Sequence, residues 1–298
     1  MKRLLLFMVA LISSMFEPLR NEMGTASYIL PRKVTGYSEI SEEVLAAESI
    51  IRQVSNLDIE GTPGFTTVSV FVHSLTTVAE YVPGTGLAMD DDTSAYVTLS
   101  NGVEIAVNEV LDGYTVATAP MDLAVKRLAA ANSAIAESVD TAALVLMESG
   151  GTELVAVGGA KVDTTTVVAK ILALKAALDT AKAPRKDRYL IVNVAVENIL
   201  LQTAAIILNT DRGDNIQADG YIGRLYGFDI FGSPLVPTAT NMMAMQKRGF
   251  AFGYNWKVEP MIKELTNAYI GDSAVQGRLA YNCGAVRATL IQVDNGRA

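Results

Sequence analysis

Pro120 to Glu148 reads PMDLAVKRLAAANSAIAESVDTAALVLME, and this stretch decides the architecture. Proline suits the first turn of a helix, and Asp122 complements the positive end of its dipole. Val125, Leu128, Asn132, Ile135, Val139, Ala142 and Leu146 then step by three and four along the whole length. At 1.5 Å per residue the helix is a rod of roughly 43 Å, stopped by Gly150-Gly151. Ala129, Ala130, Ala131, Ala134 and Ala136 keep it slim, so other elements can approach closely on several sides.

Upstream of the rod the chain is β-rich. Val68, Val70 and Val72 alternate with Ser69, Phe71 and His73, and Tyr96 to Leu99 alternates in the same way. Between them lies Pro83-Gly84-Thr85-Gly86-Leu87-Ala88-Met89-Asp90-Asp91-Asp92, a flexible, acidic tip by composition. Gly64 to Ser100 therefore reads as a long two-stranded ribbon. Such a ribbon is at best marginal alone in water and needs a surface to lie on. An Asn-Gly turn at Asn101-Gly102 leads to a further strand through Val103, Ile105 and Val107. Before the ribbon, Tyr28 to Gly36 is extended. Ser41 caps a short helix over 42–54 with the stripe Val44, Ala47, Ile51 and Val54.

Downstream the types alternate. Thr164 to Ala181 is a helix capped by Asp163, with Val167, Ile171, Leu174 and Leu178 as its core stripe. Tyr189 to Val194 is a buried strand, Val196 to Leu208 a helix, and Thr210 to Asn215 a polar loop. Tyr221 to Phe231 reads as a strand bent at Gly223 and Gly227. Further strands are expected over Phe250–Trp256, Pro260–Leu265 and Arg278–Val293. The expectation is an α+β protein with an inserted α/β subdomain.

The 298 residues are 50% hydrophobic, which excludes disorder and supports a substantial core. A single Cys (Cys283) and a single His (His73) exclude a disulfide framework, a thiolate metal cage and a multi-histidine site. The net charge of −8 is unevenly placed. From Gln53 to Val125 there are ten acids and no base; the remainder holds 22 acids against 24 bases. Such a segment repels polyanions and favours a basic surface on this chain or a neighbouring one.

No constellation amounts to a catalytic site. His73 has no nucleophile and orienting acid beside it in the sequence, and no serine sits in a G-x-S-x-G elbow. Cys283, in an apolar strand, reads as a small buried hydrophobe. Asp90 to Asp92 lack the alternating spacing of a calcium loop, and Gly84-Thr85-Gly86 lacks the helix and lysine of a phosphate cradle. Asp211 to Asn215 is an ordinary loop. No cofactor and no metal are expected, and the protein is read as non-enzymatic.

Three stretches fall in a telling order. Asp122-Leu123-Ala124 through Ser138-Val139-Asp140 forms the rod. Ala183-Pro184-Arg185-Lys186-Asp187-Arg188-Tyr189-Leu190-Ile191-Val192 is a turn entering a strand. Gly220-Tyr221-Ile222-Gly223-Arg224-Leu225-Tyr226-Gly227-Phe228-Asp229-Ile230-Phe231-Gly232-Ser233 follows the pattern G-x-I-G-x-x-x-G-F-x-V-x-x-S with one conservative change, and Ala251-Phe252-Gly253 comes after it. Their order resembles the major capsid protein of tailed bacteriophages, over about residues 24 to 293. The resemblance implies an N-terminal arm (24–62), an extended loop (63–101), a peripheral domain (102–150 with 236–298) built on the rod as a spine helix, and an axial domain (151–235). It also implies pentamers and hexamers closing into an icosahedral shell around phage DNA in the virion, assembled in the host cytoplasm. Scaffold, portal or decoration proteins are its further partners; a membrane and sequence-specific DNA binding are not.

Some relatives cross-link subunits through a lysine in the extended loop, but no lysine occurs between Lys33 and Lys126 here. The expectation instead is electrostatic: Asp90, Asp91 and Asp92 of one copy against Arg127, Arg185, Lys186 or Arg188 of another. Residues 1–23 form an apolar leader, Lys2-Arg3 followed by Leu4 to Ile12, too short to span a bilayer. It is compatible with a secretory signal, a genuine first helix or an over-extended start. Two other classes stand beside the shell: an encapsulin-like compartment around a cargo enzyme, and an exported β-rich binding protein.

Overall fold

The computed structural model describes residues 49–57, 67–76, 78–81, 83, 91, 93–99, 102–118, 122–154, 162–203, 223–265 and 271–295. The leader, most of the arm, Asp90, Asp92, the Asn101 turn and the 204–222 segment lie outside them.

The described chain opens with α1 (Ile51–Val54), then β1 (Val68–Val72) and β2 (Ala95–Leu99), which pair antiparallel with Val68 opposite Leu99. The ribbon expected from the alternation is present in this register. His73 lies just past the end of β1 rather than within it. Next come β3 (Val103–Leu111), α2 (Gly113–Thr118), the rod α3 (Leu123–Gly150) and the short β4 (Thr152–Glu153). Asp122 is the cap of the rod itself, its carboxylate accepting the Val125 N–H at 3.3 Å. The buried stripe is rotated from the expected one: Ala131, Ile135, Val139, Ala143, Leu144 and Met147 face the core, whereas Val125 and Asn132 are exposed. Small alanines let the sheet approach on that side, so large residues alone did not mark it.

The next block is α4 (Val167–Thr180), β5 (Arg188–Val192), α5 (Val194–Gln202), β6 (Arg224–Leu225) and β7 (Phe228–Gly232). Asp163 accepts the Thr165 and Thr166 N–H groups, each at 2.8 Å, and Val167, Ile171, Leu174 and Leu178 are all fully buried, as the stripe predicts. The bent strand at Gly223 and Gly227 is instead a tight hairpin of β6 and β7. Tyr226 and Gly227 have φ of 49° and 96°, the backbone that lets a two-residue turn follow strand twist.

The chain closes with β8 (Met242–Gln246), β9 (Phe250–Glu264), β10 (Ser273–Ala285) and β11 (Ile291–Asp294). β9 runs unbroken through Pro260, because it is an edge strand of its sheet and the register shifts beside Gly277, which leaves room for the proline ring. The single expected strand over 278–293 is two strands, divided by the 3-10 turn Ala288–Leu290.

β3, β10 and β9 make a three-stranded antiparallel sheet against which α3 lies. The other sheet has the order β4-β11-β8-β5-β7-β6 and is mixed. Its two faces enter different cores. Ile191, Met243, Met245, Ile291 and Val293 join α1, α3 and the three-stranded sheet, whereas Leu190, Val192, Met242 and Ala244 meet α4 and α5. β8 and β11 are thus hydrogen-bonded into one sheet with β5 and β7 of the 151–235 segment.

Lys170 on α4 reaches across this second core to the last strand, with Nζ 3.1 and 3.0 Å from the two carboxylate oxygens of Asp294. Both are buried. Removing one partner of such a pair strands a charge and costs about 3–5 kcal/mol. Lys170→Ala is therefore expected to lower the stability of the unassembled subunit by that amount in urea unfolding; a loss below about 1 kcal/mol contradicts the role.

Candidate assembly surface

The features that reach beyond the body are built on rigid bases. At the root of the ribbon Leu99 is buried over Gly284, where an added Cβ would lie 2.8 Å from the leucine. Asn282 donates from Nδ2 to the Leu99 carbonyl at 3.2 Å, and Arg287 donates to the His73 carbonyl at 2.9 Å. Beyond this root the ribbon holds itself together by cross-strand contacts. Phe71 and Tyr96, opposite one another, have ring centroids 4.9 Å apart, and His73 meets the Phe71 ring edge-on. Its large apolar side chains face water: Leu75 is 87% exposed, Val78 92% and Tyr81 67%. Burying each of the two aliphatic ones stabilises by about 1.5–3 kcal/mol.

The described end of the arm is docked on the rod. Asp140, buried on α3, accepts the Ile50 N–H at 2.8 Å and the Ser49 hydroxyl at 3.0 Å. Burial pushes its carboxyl above the usual range, and the hydrogen bonds from the arm partly offset this. Farther on, Asn56 bridges to the start of β9, donating to Phe250 and accepting from Phe252. Arg52 lies over the Tyr254 ring, 4.9 Å from its centroid. In the sequence Asp140 reads only as part of the rod; a lone acid on the core side of a long helix is the signal that marks it.

The expected contact bases have different fates. Arg188 is buried and held within its own subunit. Its guanidinium donates to the Ala183 and Pro184 carbonyls at 2.7 and 2.8 Å and pairs with Asp179 at 2.7 Å. The carbonyls after α4 need a donor there, so Arg188 is not open to a neighbour, contrary to expectation. Its hydrogen bond also holds the Asp179 carboxyl below the usual range. Arg127 is likewise engaged inside the subunit, bidentate on Glu109 of β3 at 3.2 and 2.5 Å, which fixes the start of the rod to the sheet. Arg185 and Lys186 are exposed, as is Asp91.

Two further bases stand beside them. The Lys247 N–H donates to the Asp187 carbonyl at 3.1 Å and Gln246 donates from its side chain to the Lys186 carbonyl, bringing the turn after β8 against the turn before β5. Arg185, Lys186, Lys247 and Arg248 thus gather at one end of the six-stranded sheet. Some sixty residues separate the two turns in the chain, so no local pattern announces the grouping.

Among the described residues no three His, Cys, Asp or Glu side chains come together to hold a metal ion, and no helix is long and apolar enough to cross a membrane. Cys283 is fully buried and its thiol is pushed up to about 12.

A family model described as phage capsid protein matches residues 116–289, more than half of the chain. The chain belongs to the phage capsid protein family. It is a structural capsid subunit, and the family places it in the virion. Solved structures agree on the fold. The chain superposes on one from Mycobacterium phage Che8 with a TM-score of 0.74 at 20% identity, covering 88% of this chain and 96% of that one. The capsid structure of the cyanophage P-SCSP1u gives 0.73 at 14% identity, covering 88% and 92%. The capsid of an empty GTA particle gives 0.66 at 12%, covering 89% and 95%. No curated protein matches the chain. The α+β capsid-type fold read from the order of elements is therefore the fold of this capsid protein.

The burial of Cys283 makes a simple check on the site. In the native subunit iodoacetamide at about pH 8 is expected to leave the thiol unmodified, since the reactive thiolate is scarce and enclosed. Labelling is expected only after unfolding in denaturant; rapid native labelling, read by intact mass, contradicts the burial.

Proposed function

We propose that copies of this chain close into an icosahedral shell of pentamers and hexamers around phage DNA, assembled in the host cytoplasm. The observation that carries this beyond family membership is the ribbon: a rigid root bearing apolar side chains that its own body leaves in water. Permanent interfaces between subunits bury upward of ~2,000 Å², and outstretched elements supply such area cheaply in chain length. In this reading residues 24–62 are the arm, 63–101 the extended loop, 102–150 with 236–298 the peripheral domain and 151–235 the axial domain. Scaffold, portal and decoration proteins are its further partners. No chemical step belongs to it.

The ribbon acids Asp90, Asp91 and Asp92 meet bases of a neighbouring copy. Arg185 and Lys186 are the members of the expected set that stay open for this, and Lys247 and Arg248 enlarge the positive field around them. Exposed charges of this kind are screened within about 8–10 Å at physiological salt.

Electron microscopy of the purified full chain tests the shell: closed particles containing DNA are expected from infected cells. Particles with a packaged enzyme point to the compartment class, and a stable monomer at high concentration overturns assembly. For the contact, replacing Asp90, Asp91 and Asp92 by lysine is expected to cut particle yield at least tenfold, as is Arg185→Glu with Lys186→Glu. Combining the two sets is expected to recover part of the loss. Yield indifferent to both reversals and to salt removes the electrostatic contact while leaving the shell.

A further inference from the structure

We propose that the groove between the rod and the three-stranded sheet receives Val78 and Tyr81 from the ribbon of a second copy of this chain. The proposal rests on the shell reading above and deepens it, by naming where the uncovered limb of one subunit lands on another.

The groove holds about 250 Å³. Pockets that enclose a whole small molecule run to ~300–1,000 Å³, so this one is sized for one or two side chains. Its apolar walls are Ile135 of the rod, Phe252, Tyr254 and Trp256 of β9, and Leu279 of β10. Arg52 and Asn132, both exposed, stand at its rim, so it opens to water. Apolar walls inside a polar rim are what an aromatic or aliphatic anchor fills at a protein interface.

The ribbon carries anchors of that kind. Val78 is 92% exposed and Tyr81 67%. A tyrosine can bury its ring and keep its hydroxyl hydrogen-bonded at a polar rim. Glu80, exposed between the two, is the one carboxylate among the described residues of 67–81, and it complements Arg52 in charge.

The root of the ribbon lies on the other side of the sheet from the groove. Side chains along a strand alternate between faces. Leu279, Tyr281 and Cys283 of β10 enter the core beneath the rod, on the side where the groove lies. Asn282 and Gly284, which hold Leu99 at the ribbon root, therefore face away from it. The occupant is for this reason a ribbon from another copy. Each copy then gives one ribbon and receives another, a head-to-tail contact whose repetition closes rings.

Trp256 is the only tryptophan of the chain, so tryptophan emission reads the groove directly. When the wild-type full chain assembles, quenching of Trp256 by acrylamide is expected to fall several-fold. Val78→Ser with Tyr81→Ser alters side chains that the subunit leaves in water, so the unassembled variant is expected to fold and quench as the wild type does. Its particle yield is expected to fall about tenfold through loss of the interface anchors, and particles that do form are expected to leave Trp256 open to acrylamide. Wild-type particles with unchanged quenching overturn the proposal. So do a wild-type yield from the variant and variant particles that protect Trp256, since another segment then fills the groove. Should the variant form no particles, Tyr81→Cys combined with Asn132→Cys decides: mild oxidation is expected to give a ladder of covalent oligomers on a denaturing gel. Monomer alone from the paired variant, cross-linked within itself or not, overturns the proposal. Closed particles without this contact leave the shell reading standing, whereas a ladder without closed particles keeps the contact and removes the shell.

Discussion

Strands β5 and β8 run side by side through the middle of the six-stranded sheet, and neither leaves a face to water. Successive side chains on a strand point to opposite sides, so Met243 and Met245 serve the core around the rod while Met242 and Ala244 serve the core around α4 and α5. Every layer of the body is held through this alternation. A slip of one residue in β8 would exchange the two sets and leave both cores wrongly filled. The buried Lys170–Asp294 pair crosses the second core and ties α4 to β11, so a polar link secures register where the apolar packing is permissive.

With the body complete in this way, what remains outside it is conspicuous. Among their described residues, the ribbon and the end of the arm place only Ile50, Ile51 and Val54 in the two main cores, with Leu57 packed against them. Both are joined to the body by specific short contacts: Asn282, Arg287 and Gly284 for the ribbon, and Asp140 and the Asn56 bridge for the arm. In the proposed assembly such rooting reduces the entropy lost on contact, because the base of each limb is held before its partner arrives.

Elements with a strong period are legible in the sequence: the rod as an element, the α4 stripe and the β1–β2 alternation all appear. What escaped notice depended on contacts between distant segments. β8, Met242-Met243-Ala244-Met245-Gln246, has neither alternation nor β-branched residues, and only burial on both faces makes it a strand. The rod's inward face was misjudged because alanines occupy it where the sheet comes closest. At the candidate surface Arg185 and Lys186 were visible as a charged turn, but Lys247 and Arg248 join them only through the hydrogen bonds of the folded sheet. Arg188 belongs to the same turn and faces inward, since the end of α4 leaves carbonyls that its guanidinium satisfies.

Charge placement connects these observations. The segment from Gln53 to Val125 has no Lys or Arg of its own, and the cations that answer its body-facing acids come from elsewhere in the chain: Arg127 for Glu109 and Arg278 for Glu104. Those pairs settle the acids of β3, which lie on the subunit. Of the segment's remaining acids Asp91 is exposed, and Arg185, Lys186 and Arg248 are exposed at the end of the six-stranded sheet. In the proposed shell, acids on neighbouring ribbons repel one another, which disfavours pairing of ribbon with ribbon and favours a positive surface. In that reading the exposed apolar residues of the ribbon supply adhesion and its acids supply direction.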